Sequence, residues 1–265
     1  LHLCDRRQRQ MCIRDRLEAG LKNILYVHFT MDDNLSLSEE IKARYRSMYT
    51  GVFFKRYILG LWAMAEGIIY DMFDADKHVQ KITDFFRCLK DGGRYVSCDY
   101  GTQNATVFLL WNKGNNGKWY CVREYYYSGR AKGKQKTDGE YADDFEKWLD
   151  GVPIRAVIVD PAAASFIAEL RKRGYRVLKA DNDVEDGIRE VASMLNMGLL
   201  VFCDTCINTI MEFGSYIWDE KAAQQGEDRP VKENDHAMDA VRYFVYTILS
   251  KRTGRVKNKA KYGFD

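Results

Sequence analysis

At 265 residues, with 46% apolar, 13% aromatic and 30% charged positions and only three prolines, the chain can build a sizeable core and is too apolar for disorder. No stretch approaches the roughly 18 uninterrupted apolar residues of a membrane span, and the N-terminus lacks the apolar block of a secretory signal. The seven cysteines are odd in number and scattered, which predicts reduced thiols in a cytosol. The net charge of +3 divides unevenly: residues 1–16 carry five arginines against Asp5 and Asp15, and residues 250–265 carry six lysines and arginines against Asp265. The body between them is therefore mildly acidic, unlike a wholesale nucleic-acid coat but compatible with an enzyme that has an acid cluster and local basic strips.

Residues 1–16 have no consistent period and no caps, and the run Met-Cys-Ile-Arg-Asp-Arg resembles a translated sequencing-adapter fragment. They are set aside as a non-native leader. Residues 24–29 (ILYVHF) read as a short buried strand. Ser38 is expected to cap a helix over 39–49, with Glu39 and Glu40 in the turn where the helix dipole favours acids. An aromatic-rich stretch, 52–62, leads to a short extended piece at 66–73, and polar residues 74–81 read as a linker.

From Arg94 the pattern changes. Three strand-like runs follow, 94–99, 105–112 and 118–127, separated by GTQN (101–104) and GNNG (114–117), which is hairpin chemistry. A helix over 139–149 sets Tyr141, Phe145, Trp148 and Leu149 on one stripe. The apolar run 154–160 predicts a central parallel strand buried on both faces. Helix 163–173, strand 175–179, helix 184–197 and strand 199–203 come next, then helical stretches around 206–223 and 235–250. This order implies an α/β fold with a mixed central sheet, three antiparallel strands followed by parallel ones, and helices on both faces.

Asp99 and Asp160 each end a strand, where open α/β sheets place their chemistry, although strand ends are also where ordinary charges reach solvent. In NDHAMDAVRY, Asn234 reads as an N-cap, and Asp235, His236 and Asp239 share one polar face at i, i+3 and i+4 spacing. His236 is the sole histidine in the second half of the chain, and acids beside a histidine suit a metal site or a proton shuttle. Acids on two strand ends and one helix suit hard cations such as Mg²⁺ or Mn²⁺, and a pair of such ions about 4 Å apart can promote phosphodiester cleavage. Asp183 and Asp186 are reserve acids, ranked lower because acids at a helix start are ordinary capping chemistry.

Arg130, Lys132, Lys134 and Lys136, in a loop after the third strand, are candidate DNA-phosphate ligands; a solvated loop is the plain alternative. The basic tail 251–261 is a flexible end. Cys203-x-x-Cys206 lacks a second ligand pair and reads as core, not zinc. The tyrosines at 125–127 read as alternating strand residues, and Glu212, Tyr216 and Trp218 as packing.

The segments YVSCDYGTQNATVFLLW, REYYYSGR, AVIVDPAAASFIAELRKRGYRVLKA, DGIREVASMLNMGLLVF and NDHAMDAVRYFVY resemble, in this order, the nuclease domain of phage terminase large subunits. The upstream stretch VHFTMDDNLSLSEE…GVFFKRYILGLWAMAEGIIYDMFD (27–74) is similar to the end of that family's ATPase region, and together the likeness spans about 24–250. The resemblance implies an RNase H-like fold and a metal-dependent endonuclease that cuts concatemeric double-stranded DNA during packaging. Carried over by motif, Asp99, Asp160 and Asp239 would be the ligands of one or two Mg²⁺ or Mn²⁺ ions, with His236 near them. Partners implied are double-stranded DNA, a terminase small subunit and a portal protein, in the host cell cytoplasm and with no membrane. The chain would divide into the leader (1–16), a motor remnant and linker (17–80), the nuclease (81–250) and a basic tail (251–265). No G-x-x-x-x-G-K-[ST] occurs in these residues, so they read as a C-terminal fragment without ATPase activity. The rival readings are another RNase H-superfamily nuclease, such as a resolvase or integrase, and a non-catalytic DNA-gripping or docking module of the motor.

Overall fold

The computed structural model describes residues 27–250 apart from Trp62 and Gln103. Seven strands form one sheet: β1 (Val79–Gln80), β2 (Tyr95–Asp99), β3 (Ala105–Lys113), β4 (Trp119–Ser128), β5 (Ala156–Val159), β6 (Val177–Lys179) and β7 (Leu200–Cys203). Their order across the sheet is β1-β7-β4-β3-β2-β5-β6. β2, β3 and β4 make an antiparallel meander, and every other pairing is parallel. β5 lies beside β2, so the first and fourth strands of the expected order are neighbours and their acid-bearing ends sit side by side.

Among the described residues the α-helices of five residues or more are α1 (Glu39–Met48), α2 (Gly51–Tyr57), α3 (Asp138–Leu149), α4 (Ala164–Lys172), α5 (Val184–Asn196), α6 (Ile207–Ser215), α7 (Glu220–Gln224) and α8 (His236–Phe244), the last running on into a π-helical turn, Val245–Leu249. Several start where local chemistry dictates. Ser38 accepts the Ile41 amide at the head of α1, and Thr137 with Glu140 forms a reciprocal capping box on α3. Asp183 caps α5 by accepting the Asp186 amide, as expected of a helix-start acid.

Period-two alternation then divides the strands between two cores. On one face Val96, Cys98, Phe108 and Leu110 pack against Tyr141, Phe145 and Leu149 of α3 and Phe166 and Leu170 of α4. On the other, Val107, Leu109 and Trp111 pack against Ile188, Val191 and Leu195 of α5, Phe213 of α6, and Val241 and Phe244 of α8. The Trp111 indole donates to Ser97 Oγ (2.9 Å) inside this second layer, which places Ser97, and by alternation Asp99, on the α8 side. A register shift between Leu110 and Trp111 leaves Trp111 opposite Cys121 but Leu110 opposite Arg123. This irregularity re-phases β4, so Cys121, Glu124 and Tyr126 all face the α6 and α8 layer. Tyr125, on the opposite face, stacks on Phe108, and Tyr127 meets Tyr141 edge-on, so the tyrosine run is indeed an alternating strand.

Two local expectations are corrected. Residues 27–29, the described part of the expected strand 24–29, are exposed coil; residues 24–26 lie outside the described residues. The polar stretch 74–81 holds a helical turn, Ala75–His78, and strand β1, which pairs with β7. His78 anchors it, with Nε2 2.9 Å from the Leu195 carbonyl oxygen. The leader 1–16 and the basic tail 251–261 lie outside the described residues. Among the described residues no helix is long and apolar enough to cross a membrane.

Candidate active site

The carboxyl ends of β2 and β5 open into a cleft of ≈ 650 Å³ lined by Asp99, Asp160, Asp235, His236 and Asp239, with Arg130 and Lys232 as its cations. Asp99 follows Ser97 on the α8 face of β2. Asp160 follows Ile158 on the same face of β5, because residues two apart on a strand point the same way. α8 then crosses behind both strands and supplies His236 and Asp239. The four residues carried over by motif therefore meet in one place, drawn from three elements.

Each has a partner. His236 Nδ1 lies 2.9 Å from Asp99 Oδ2. Asp160 accepts the Tyr243 hydroxyl at 2.6 Å and the Ala162 amide at 2.7 Å. Asp239 Oδ1 accepts Arg242 Nη2 at 2.7 Å. Lys232 Nζ donates to Asp235 Oδ2 at 3.1 Å and to Asp239 Oδ2 at 3.5 Å, bridging two buried acids with one ammonium. Arg242, itself only 2% exposed, also donates to the carbonyls of Asn182 (2.9 Å) and Asp183 (3.2 Å), tying α8 to the start of α5.

The cleft is electrostatically tense. Burial raises the Asp99 carboxyl to about 6, the charges of Asp239 and Asp235 push the same way, and the His236 hydrogen bond pulls against them. Burial alone would lower His236, but the hydrogen bond and charge of Asp99 outweigh it and raise it. Burial likewise lifts Glu212, behind the cleft on α6, to about 7, against the bonds it accepts from Tyr126 and two amides. All three groups bind protons more tightly folded than unfolded. Their contribution is present in mild acid and is lost as pH rises through the folded values. Thermal stability in EDTA is therefore expected to fall from about pH 5 to about pH 8, and to fall less in Asp99→Asn. Exposed acids with lowered values, such as Glu140 and Asp219, titrate below that window. A melting temperature that rises steadily across the window would overturn this assignment.

The donor type suits a hard divalent cation: four carboxylates line one cleft, and the ammonium of Lys232 lies between two of them. Among the described residues, however, no three His, Cys, Asp or Glu side chains stand close enough together to hold an ion.

The basic strip is divided. Arg130 lines the cleft, Lys132 is exposed beyond it, and Lys134 lies 3.6 Å from Glu140. Lys136 is turned into the protein, paired with Asp144 and 4.0 Å above the Tyr127 ring. Asn234 does not cap α8. Its φ of 51° puts it in a left-handed turn, and Asp235 takes the N-cap place without a side-chain capping bond. The reserve acids are engaged elsewhere, Asp183 as a cap and Asp186 with Arg189. Lys232 and Tyr243 were not legible as site residues. Tyr243, four positions after Asp239 on one helix face, carried the only signal, since Lys232 sits in a loop without a period. Glu212 read as packing, and only tertiary structure reveals its carboxylate contacts.

A family model described as the terminase RNaseH-like domain matches residues 98–247. The terminase large subunit of Escherichia phage T5 is 26% identical over 240 residues, covering 86% of this chain and 52% of its own length. The large terminase of a thermophilic bacteriophage is 56% identical in the superposed structures, with a TM-score of 0.80 over 89% of this chain and 58% of that one. The phage P22 large terminase nuclease domain is alike in fold alone, at 20% identity and a TM-score of 0.54 over 69% of this chain and 92% of that one. The chain thus spans about half the length of the T5 relative and somewhat more of the thermophilic phage protein.

Proposed function

The chain belongs to the terminase RNaseH-like domain family, with the RNase H-like fold of that family, and from this premise we propose that it is the nuclease part of a viral DNA-packaging terminase large subunit. In this reading it is a divalent-cation-dependent endonuclease acting on concatemeric double-stranded DNA in the host cytoplasm, alongside a small subunit and a portal. Residues 81–250 are assigned to the nuclease and 17–80 to a motor remnant and linker, although Val79–Gln80 within the latter pairs with β7 in the nuclease sheet. The observation that carries the proposal is the convergence of Asp99, Asp160, His236 and Asp239 on one cleft, from two adjacent strands and the last helix.

One or two Mg²⁺ or Mn²⁺ ions, when bound, would supply Lewis acidity at the scissile phosphate and ease ionisation of the attacking water. Asp99, Asp160 and Asp239 would hold them, as hard oxygen donors do. Tyr243 orients Asp160, and Arg242 holds one oxygen of Asp239 so that the other faces the cleft. His236, oriented through Nδ1 by Asp99, can take or return a proton at Nε2. Arg130 offers positive charge at the cleft to the DNA backbone, without reading sequence, while Lys232 is engaged by Asp235 and Asp239.

Incubation of supercoiled plasmid with the protein in Mn²⁺, Mg²⁺ or EDTA tests the reading. Nicking and linearisation are expected with either metal, none in EDTA, and none from Asp160→Ala. One observation favours a second reading, a non-catalytic DNA-gripping module: the acids are each engaged and no three metal-type donors are gathered among the described residues. A folded protein that binds DNA but never cuts it in either metal would select that module.

A further inference from the structure

Helix α8 carries His236 and Asp239, yet its own N-cap side chain, that of Asp235, makes no capping bond. The first turn is held instead by a residue on another helix. Glu212 Oε2 accepts the backbone amides of Ala237 (2.7 Å) and Met238 (3.3 Å), and its Oε1 accepts the Tyr126 hydroxyl at 2.9 Å. Glu212 is only 4% exposed, and Tyr126 lines the cleft. The same device recurs one step back. Glu124 on β4 holds the start of α6, accepting the Asn208 amide and side-chain nitrogen at 3.1 and 2.8 Å and the Thr209 amide and hydroxyl at 2.6 Å each. Glu124 and Tyr126 share a face of β4 beyond its register shift. Two carboxylates thus link β4 to α6 and α6 to α8, ending on the turn between His236 and Asp239.

An apolar side chain at 212 would pack without the penalty of burying a carboxylate, but it would leave two amides and a hydroxyl without their acceptor. We propose that Glu212 is a positioning residue of the nuclease site: by capping α8 from α6 it sets the height and rotation of that helix's first turn, so that His236 meets Asp99 and Asp239 faces the same cleft. The proposal rests on the nuclease reading and adds to it a residue that touches neither DNA nor metal. The neighbouring Tyr126 is oriented by the same carboxylate, which couples the cleft wall to the helix that supplies its ligands.

The test compares the parent chain with Glu212→Ala and Glu212→Gln, at a temperature where all three are folded by near-ultraviolet circular dichroism. Gln keeps a carbonyl oxygen for the two amides and an amide group for Tyr126, so it is the conservative rescue. In plasmid nicking, Glu212→Ala is expected to lower kcat about a hundredfold with KM for DNA unchanged, since a small misplacement of reacting groups has that effect. Mn²⁺ binding, read from the free-ion electron paramagnetic resonance signal, should weaken about tenfold, and Gln should restore both to within about threefold of the parent. In metal-free protein the His236 ring resonances should shift in the Ala variant and not in the Gln variant. Unchanged kcat and Mn²⁺ affinity in Glu212→Ala would reduce Glu212 to packing. Equal damage in Gln and Ala would overturn the capping argument. If the parent itself neither binds Mn²⁺ nor cuts, the nuclease reading fails, and the His236 resonances still decide whether Glu212 positions α8.

Discussion

Asp99→Asn is expected to lower metal-dependent cleavage by at least about a thousandfold, the scale of loss when a group acting in a catalytic unit is removed. The substitution keeps shape and removes charge. Asp99 lies at the carboxyl end of β2, between the imidazole of His236 and the field of Asp235 and Asp239. An amide there can still meet His236 Nδ1, so the fold should survive, but a neutral oxygen is a poor ligand for a hard cation. Removing one like charge from a crowded buried site should also leave the metal-free protein at least as stable as the parent at neutral pH. The measurement is plasmid nicking in Mn²⁺ alongside thermal melting in EDTA. Cutting at the parental rate would remove Asp99 from the site. Lost cutting with a collapsed melting temperature would instead make Asp99 a structural residue.

Arg242→Ala is expected to give the largest loss of stability from one side chain near the cleft, roughly 3–5 kcal/mol. Three consequences combine. Asp239 loses the guanidinium that holds one of its oxygens, and the carbonyls of Asn182 and Asp183 lose a buried donor. The stem of Arg242 also fills space over Gly187, where a Cβ would come within 2.5 Å of its Cγ, so the deletion leaves a void. For a domain of this size the melting temperature should fall by roughly 10 °C or more. Arg242→Lys should recover only part of it, because an ammonium cannot reproduce the guanidinium fork that reaches both the carboxylate and the carbonyls. A melting temperature of Arg242→Ala within about 2 °C of the parent would show that the pair is not holding α8 to α5.

Much of the architecture was legible because its signals are local. The runs at 94–99, 105–112 and 118–127 carry strand-forming residues, and the turns between them have the glycines and asparagines that reverse direction. Capping chemistry marked the starts of α1 and α5, whereas the capping box of α3 emerged only in the structure. The failures were equally physical. Residues 24–29 are apolar enough for a strand, but residues 27–29 pair with no strand and stay exposed. Residues 74–81 are polar because they form a helical turn and a two-residue edge strand, where solvent reaches the backbone. For α8, i, i+3 and i+4 spacing predicts one polar face, and His236 and Asp239 do line one cleft. What the spacing does not give is their partners inside the protein: Asp239 meets Arg242 and Lys232, and Tyr243 meets Asp160.

The sequence by itself determined most of the strands and helices from Arg94 onward and that Asp99 and Asp160 each end a strand. Those properties follow from backbone periodicity and turn chemistry, which act over a few residues. Only the tertiary structure decided what each acid touches. His236 reaches Asp99 across 137 residues of chain, and Glu212 replaces the missing cap of α8 from a different helix. Such partners depend on sheet order, on the register shift in β4 and on the packing of α6 against α8. No local period encodes these, because long-range contacts form only when burial of the whole core brings distant segments together.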